Sequence, residues 1–337
     1  MLTAFSLLIA SAVSTTGAKP LGSASPFDAL TTRQADTRAV YDRLSYRAAI
    51  ETLAHEPELQ EPLMRKVEIQ ISVRGDTRLI TVTASDRVEA QERRENGVAL
   101  PPGISVRNVP QIRRFLLAPD HTVAWLDASA PVAHWYRAEN WRNPEQDYMR
   151  RLAMYWSDAD LRTRCFGTSV PIGELIGLAP EYSTWRAEIQ DDGLLRATRT
   201  PKDEEDSSPD MIMLLDPETG LMRETSLNSG PGNRAEYRVT YTPLEHRAGA
   251  IPVPATYEQI AYTRENRTPT ATTRITFSNF RDESDQPEHT IADLGMPEGC
   301  ELQQMRQSGG PLFWEWNDGD LRKLQESKIL KGQRRAN

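Results

Sequence analysis

Cysteine is nearly absent from this chain: its 337 residues include only Cys165 and Cys300. Two cysteines so far apart exclude a disulfide scaffold and a zinc cluster. Their separation in sequence leaves open whether they bridge. Lysine is scarce too, at positions 19, 66, 202, 323, 328 and 331 only. Acidic residues outnumber basic ones 48 to 40, so the net charge of −8 supplies no field that would draw nucleic acid or an anionic membrane. No apolar run is long enough for a permanent membrane span. The short catalytic signatures are missing as well: there is no HExxH, GxSxG, CxxC, GxGxxG or Walker-type loop. The five histidines (55, 121, 134, 246 and 289) do not pair at helical ligand spacing, and each reads as a surface or packing residue. These absences predict no catalytic residues, no metal and no cofactor.

What is present is a soluble globular composition, 38% hydrophobic and 26% charged with both signs interspersed. Residues 4–13 form a short apolar core and Thr16-Gly17-Ala18 a small-residue cleavage site. Residues 1–18 therefore read as a signal peptide, which predicts an exported, periplasmic or otherwise secreted chain. Residues 32–55 hold no Pro or Gly, and Val40, Leu44 and Ala48 recur at helical spacing, which predicts an N-terminal helix over that range.

The period then changes. "RKVEIQISV" alternates Val67, Ile69, Ile71 and Val73 against polar neighbours, and Ile80 and Val82 alternate after a Gly-Asp turn. That is a hairpin with one wet face. Residues 111–127 make a second apolar pair around Pro119-Asp120. Asn143-Pro144-Glu145-Gln146 carries helix-start chemistry, predicting an inserted helix over 144–163. From about 183 to 280 the chain reads as a β-meander, in which Tyr237, Val239 and Tyr241 share a face. "MIMLLDPETGLM" is a hairpin corner, with Asp216 accepting from turn amides, Pro217 presetting φ and Gly220 supplying a positive φ. "KDEEDSSPD" at 202–210 reads as a solvated acidic loop. "FWEWNDG" predicts one more short strand, within a C-terminal strand and basic tail over 311–337.

The fold predicted is α+β: a strongly curved antiparallel β-sheet, an incomplete β-barrel, with helices covering the concave side. Residues 19–310 form a single domain, its sheet spanning 65–280. Aromatics are only 7% of the chain, yet Trp125, Trp135, Tyr136, Trp141, Tyr148, Tyr155 and Trp156 fall within one stretch of 32 residues. Such rings either pack between helix and sheet or line an apolar groove. Trp125, Trp135, Tyr136, Tyr148, Leu152 and Trp156 are the candidate ligand-binding residues.

The order of export signal, helix, meander, inserted helix, "LLDPETGL" hairpin and the strand "TRITFSNF" resembles the periplasmic outer-membrane lipoprotein carrier superfamily (LolA/LolB-like), with its larger lipoprotein-sorting relatives. The resemblance covers about residues 32–296 and is best over 183–280. It implies a half-barrel lidded by helices whose apolar inside holds a hydrophobic ligand, such as lipid or lipoprotein acyl chains, without a chemical step. Two rival readings stay open: an envelope sensor or structural adaptor binding a protein partner, and a hydrolase whose carboxylates lie far apart in sequence.

Overall fold

The computed structural model describes residues 26–54, 63–84, 111–125, 132–137, 161–167, 172, 183–201, 210–228, 234–246, 249–262, 269–305, 311–317 and 319–324. The chain divides into two compact units. The first comprises Met1–Asp42, Leu53–Leu63 and Asp160–Arg274, the second Arg43–Thr52, Met64–Ala159 and Ile275–Asn337. Both are built on antiparallel strands, with few helices among the described residues.

The first unit opens with helix α1, Pro26–Tyr41. Proline suits this first position, where no intrahelical partner is needed for its missing N–H. The helix ends at Tyr41, where the Asp42 amide donates to the Arg38 carbonyl. The helix expected over 32–55 is thus two elements, because residues Leu44–Ala54 form strand β1. Val40, Leu44 and Ala48 do fit a helical period, but Leu44, Tyr46, Ala48 and Ile50 also alternate. All four are buried while Arg47, Ala49 and Glu51 are exposed. The period of two prevailed because burying that face satisfies more side chains than a helix could.

The remaining strands of the first unit form a meander: β7 Ser183–Ile189, β8 Leu195–Pro201, β9 Asp210–Leu215, β10 Met222–Asn228, β11 Arg234–His246, β12 Gly249–Tyr262 and the start of β13 Pro269–Asp282. Their order is sequential, β7-β8-β9-β10-β11-β12-β13. Helix α2, Leu161–Phe166, precedes them. The corner at 216–221 is built as its residues dictate. Asp216 Oδ1 accepts from the Glu218 and Thr219 amides at 2.9 and 3.3 Å, and Gly220 has φ +72°.

The second unit contains β2 Leu63–Arg74, β3 Thr77–Ala84, β4 Gln111–Leu117, β5 His121–Trp125, β6 Val132–Arg137, β14 Glu301–Met305, β15 Leu312–Asn317 and β16 Asp320–Lys323. Together with β1 and the end of β13 they follow the order β16-β15-β14-β6-β5-β4-β3-β2-β1-β13. The pairs β2–β3, β3–β4, β4–β5, β5–β6, β14–β15 and β15–β16 are antiparallel, whereas β14 pairs with β6 in parallel. Parallel pairing needs a long connection, and the chain makes its whole meander between these two strands. The core of this unit gathers Leu116, Val123, Trp125, Ala133, Trp135, Leu294, Met296, Cys300, Leu302 and Trp316.

The body of the inserted helix expected over 144–163 and the acidic loop 202–209 lie outside the described residues, as do the expected signal peptide and the tail beyond residue 324. Among the described residues no helix is long and apolar enough to cross a membrane.

Candidate functional site

The face of the first unit's meander that carries helices α1 and α2 is the best-defined candidate surface. Cross-strand partners share a face, so the registers fix which side chains line it. One row runs Ala187, Ala197, Met213, Thr225, Tyr237, Gln259. A second runs Ile189, Leu195, Leu215, Met222. A third runs Trp185, Arg199, Met211, Leu227, Ala235, Ala261. The face is therefore largely apolar across six strands, interrupted by Thr225, Arg199 and Gln259.

Two short helices cover one end of it. Gly167, at the end of α2 with φ +69°, sits so close to Met222, Met213 and Thr225 that a side chain there would collide with the two methionines. Phe166 and Cys165 are wholly buried. The Phe166 ring meets Tyr41 of α1 at 5.8 Å, and the Arg38 guanidinium lies 4.5 Å over it. Tyr241 donates to the Met222 carbonyl at 2.6 Å and reaches the Cys165 carbonyl at 3.2 Å. Tyr41 donates to the Pro252 carbonyl at 2.5 Å. Arg164 of α2 stacks on Tyr257, 4.6 Å from the ring centre, and donates to its hydroxyl at 2.9 Å.

Helix α1 is anchored on the 216–221 corner by polar contacts. Gln34, wholly buried, donates to the Gly220 carbonyl at 2.9 Å and accepts from the Ile172 amide at 2.8 Å. Thr37 donates to the Thr219 carbonyl at 3.2 Å, and Arg33 to the Pro217 carbonyl.

Burial holds the Tyr41 and Tyr241 hydroxyls well above their ordinary value of 10.0, aided by Cys165 and opposed by Arg223. Tyr237 is pushed up to about 12, again mainly by burial. All three stay protonated at physiological pH. Past the helices, Trp185, Leu227, Ala235, Tyr237, Gln259 and Ala261 are only half-buried. The arrangement can hold an apolar group by dispersion and desolvation.

Of the residues predicted from sequence, Trp125 lies on β5 and Trp135 on β6, both enclosed in the second unit's core, where Trp135 meets Trp314 edge-on at 5.7 Å. Tyr136 points to the other face of β6, 6.5 Å from His134, and is buried. Tyr148, Leu152 and Trp156 lie outside the described residues. The structure thus brings Trp125 and Trp135 together and leaves Tyr136 apart. Sequence reasoning placed Tyr237 and Tyr241 on one face but gave them no role, and it missed Gln34, Arg38, Arg164 and Tyr257. Among the described residues no group of three His, Cys, Asp or Glu side chains could hold a metal ion. Both cysteines are buried, and neither is in a disulfide.

No family model matches the sequence, and neither does any curated protein. The chain is similar to LolA-superfamily structures. A LolA superfamily protein from Nitrosomonas europaea superposes with TM-score 0.35 at 11% identity, covering 78% of this chain and 96% of that one. A putative outer membrane lipoprotein-sorting protein domain from Vibrio parahaemolyticus gives TM-score 0.35 at 13% identity, covering 80% and 97%. The MucA/MucB complex of Pseudomonas aeruginosa gives TM-score 0.24 at 12% identity, covering 78% and 100%.

Proposed function

We propose that this chain is an exported binding protein that holds a hydrophobic ligand, lipid or the acyl chains of a lipoprotein, and performs no chemical step on it. In this reading the meander curves as part of an incomplete barrel, α1 and α2 lie over its concave side, and the ligand occupies the part of the apolar face beyond them. The observation that supports it is the row Trp185, Arg199, Met211, Leu227, Ala235 and Ala261 with Tyr237 beside it, apolar except at Arg199 and half-buried except at Met211, continuing a face that the two helices cover at one end. Each methylene withdrawn from water there contributes about 0.8 kcal/mol. The Tyr41, Tyr241 and Tyr257 hydroxyls and Arg164 are tied to protein partners, which suits a site that must release its cargo intact.

The reading keeps Tyr148, Leu152 and Trp156 as lining side chains and Tyr136 as a candidate. It assigns Trp125 and Trp135 to packing, since neighbours on several strands enclose their indoles.

The test is native mass spectrometry of the purified mature protein with lipid extraction, paired with uptake of a fluorescent fatty-acid probe. The expected result is co-purifying lipid or saturable probe binding, weakened at least tenfold by Tyr237→Asp, whose carboxylate would have to be desolvated by the ligand. A lipid-free protein that also ignores the probe overturns the reading.

A second reading, an adaptor that binds a protein, is favoured by strand β7. It ends the strand order of its unit, and its Ile189 is 63% exposed. An edge of that kind accepts a strand from a partner. Ile189→Lys would abolish such binding and leave probe uptake unchanged.

A further inference from the structure

In the second unit, residues 283–293 run from the end of β13 across the β2–β3 hairpin as a strap. The His289 amide donates to Thr77 Oγ1 at 2.8 Å, and the Asp76 amide reaches Glu288 Oε1 at 3.4 Å. Beneath the strap lies a closed polar chain. Ser45 Oγ and Ser72 Oγ both donate to Glu283 Oε2, at 2.9 and 3.0 Å. Ser45 Oγ in turn accepts from the Val73 amide at 2.9 Å. Ser72 Oγ also touches His289 Nε2 at 3.0 Å, and His289 Nδ1 faces Asp293 Oδ2 at 3.7 Å. The imidazole side chain is 3% exposed.

Counting protons decides how this chain is wired. Four contacts link the two serines, Glu283, His289 and Asp293, and each requires one proton. The serine hydroxyls supply two, and a neutral imidazole supplies one. Because Ser72 gives its only proton to Glu283, the ring must place its own on Nε2 to reach Ser72. Nδ1 is then bare, and the contact left without a proton is the one to Asp293. The distances agree: three contacts are 2.9 to 3.0 Å, and the fourth is too long for a hydrogen bond.

The same wiring rules out a nucleophilic triad, although Ser72, His289 and Asp293 are its residue types. Ser72 does not donate to the imidazole, so the ring cannot act as its base, and Asp293 is too distant to orient the ring.

We propose that His289 is a proton-operated latch: on mild acidification Nδ1 takes up one proton, and the strap 283–293 then loosens from the β2–β3 hairpin. Every charged group facing the ring bears on this. Asp293, from the 3-10 turn Ile291–Leu294, would welcome the new N–H. Its Oδ2, however, already accepts from the Thr290 amide at 2.7 Å and the Thr290 hydroxyl at 3.3 Å, so closing on the ring competes with that turn. Glu283 is separated from the ring by Ser72. Arg74, on β2, opposes the charge directly, and its buried Nε has no hydrogen-bond partner among the described residues. The imidazolium would thus be a buried cation beside another cation, relieved only if the strap shifts. Burial first and Arg74 second hold His289 below its ordinary value of 6.5, against the pull of Asp293 and Glu283. The sign follows: with a folded-state pKa below 6.5, the strap's stability is complete above about pH 6.5 and falls as pH drops through the folded value.

The test is nitrogen-detected NMR of the imidazole rings in the full chain, with amide hydrogen exchange at Asp76 and His289 corrected for intrinsic rates. At pH 8 His289 is expected as the neutral Nε2–H tautomer. Its titration midpoint should lie below 6.5 and rise in Arg74→Gln. Protection at the two amides should fall about tenfold between pH 7.5 and pH 5 in the wild type, and not in His289→Gln. An Nδ1–H tautomer at pH 8, a midpoint at or above 6.5, or protection that does not change in the wild type each overturns the latch. If His289→Gln does not fold, the wild-type titration and Arg74→Gln decide alone.

Discussion

Gln34 and Gly220 lie 186 positions apart in sequence, yet Gln34 Nε2 donates to the Gly220 carbonyl at 2.9 Å while Gln34 Oε1 accepts from the Ile172 amide at 2.8 Å. One wholly buried amide therefore satisfies two backbone groups on separate segments and fixes α1 over the end of the meander. Gln34→Leu keeps the volume but strands both backbone groups. Each unsatisfied buried group costs about 1–3 kcal/mol, so urea unfolding should show a loss of roughly 2–5 kcal/mol. Gln34→Glu should cost less near neutral pH than Gln34→Leu only if the carboxyl is protonated, which acid titration of the variant would reveal.

Three tyrosines of the first unit predict an alkaline limit to stability. Tyr41 and Tyr241 are held well above 10.0 and Tyr237 at about 12, mainly by burial. The folded state therefore keeps protons that the unfolded chain releases above pH 10. Stability is complete below that pH and declines as pH rises through the folded-state values. Unfolding free energies measured from pH 8 to pH 11.5 should fall steadily above 10, and Tyr237→Phe should flatten part of that decline. A level profile across the interval would contradict the assignment.

Much of the architecture was legible because it follows local rules. Alternation marked β2 and β3, Pro119-Asp120 the turn between β4 and β5, and "LDPETG" the corner whose Asp216 and Gly220 behave as their chemistry requires. The extent of α1 was not legible. Its buried stripe is Phe27, Leu30, Gln34, Arg38 and Tyr41, so two of its five inward positions are polar and a hydrophobic period cannot show it. The parallel pairing of β14 with β6 was hidden as well, since it joins segments separated by the whole meander. The aromatic enrichment around Trp125 and Trp135 signalled large buried rings, but enrichment cannot distinguish a packed core from a ligand surface. Tyr237 and Tyr257 gave no such signal, being ordinary residues of half-buried strands.

Trp135 and Tyr237 therefore separate packing from binding. Trp135→Ala should destabilise the second unit by about 3–5 kcal/mol and leave fatty-acid probe affinity within twofold at temperatures where the variant is folded. Tyr237→Asp should do the reverse, lowering probe affinity with little change in the second unit. Probe loss in Trp135→Ala with an unaltered unfolding curve would return the binding surface to the indoles.

The two thiols should be inert in the folded chain. Cys165 and Cys300 are wholly buried and not joined in a disulfide, and burial pushes the Cys300 thiol up to about 11. The thiolate is the reactive form, so at pH 8 neither should react with an aromatic disulfide reagent within minutes, whereas both should react fully in denaturant. Because each thiol is enclosed separately, non-reducing and reducing gels should show the same mobility. One fast-reacting thiol in the native protein would place a cysteine at the surface.

Three glycines with positive φ form a graded series that tests the helix cover directly. Gly193 has φ +82° and nothing within 4 Å of the place an added methyl would take, so Gly193→Ala carries only backbone strain, about 1 kcal/mol. Gly167 has φ +69° and adds the Met222 sulfur at 2.7 Å and the Met213 methyl at 2.8 Å. Both are ends of flexible side chains that can turn aside, so Gly167→Ala should cost about 1–3 kcal/mol. Gly220, at φ +72°, would drive a methyl into Gln34 Cγ, with the Gln34 amide nitrogen at 3.4 Å. The Gln34 side chain is held by hydrogen bonds through both its oxygen and its nitrogen, so the helix itself must lift. Gly220→Ala should therefore be the most costly of the three, and pairing it with Gln34→Ala should recover part of the loss. Equal costs at Gly193 and Gly220 would mean that α1 does not rest on the corner in solution.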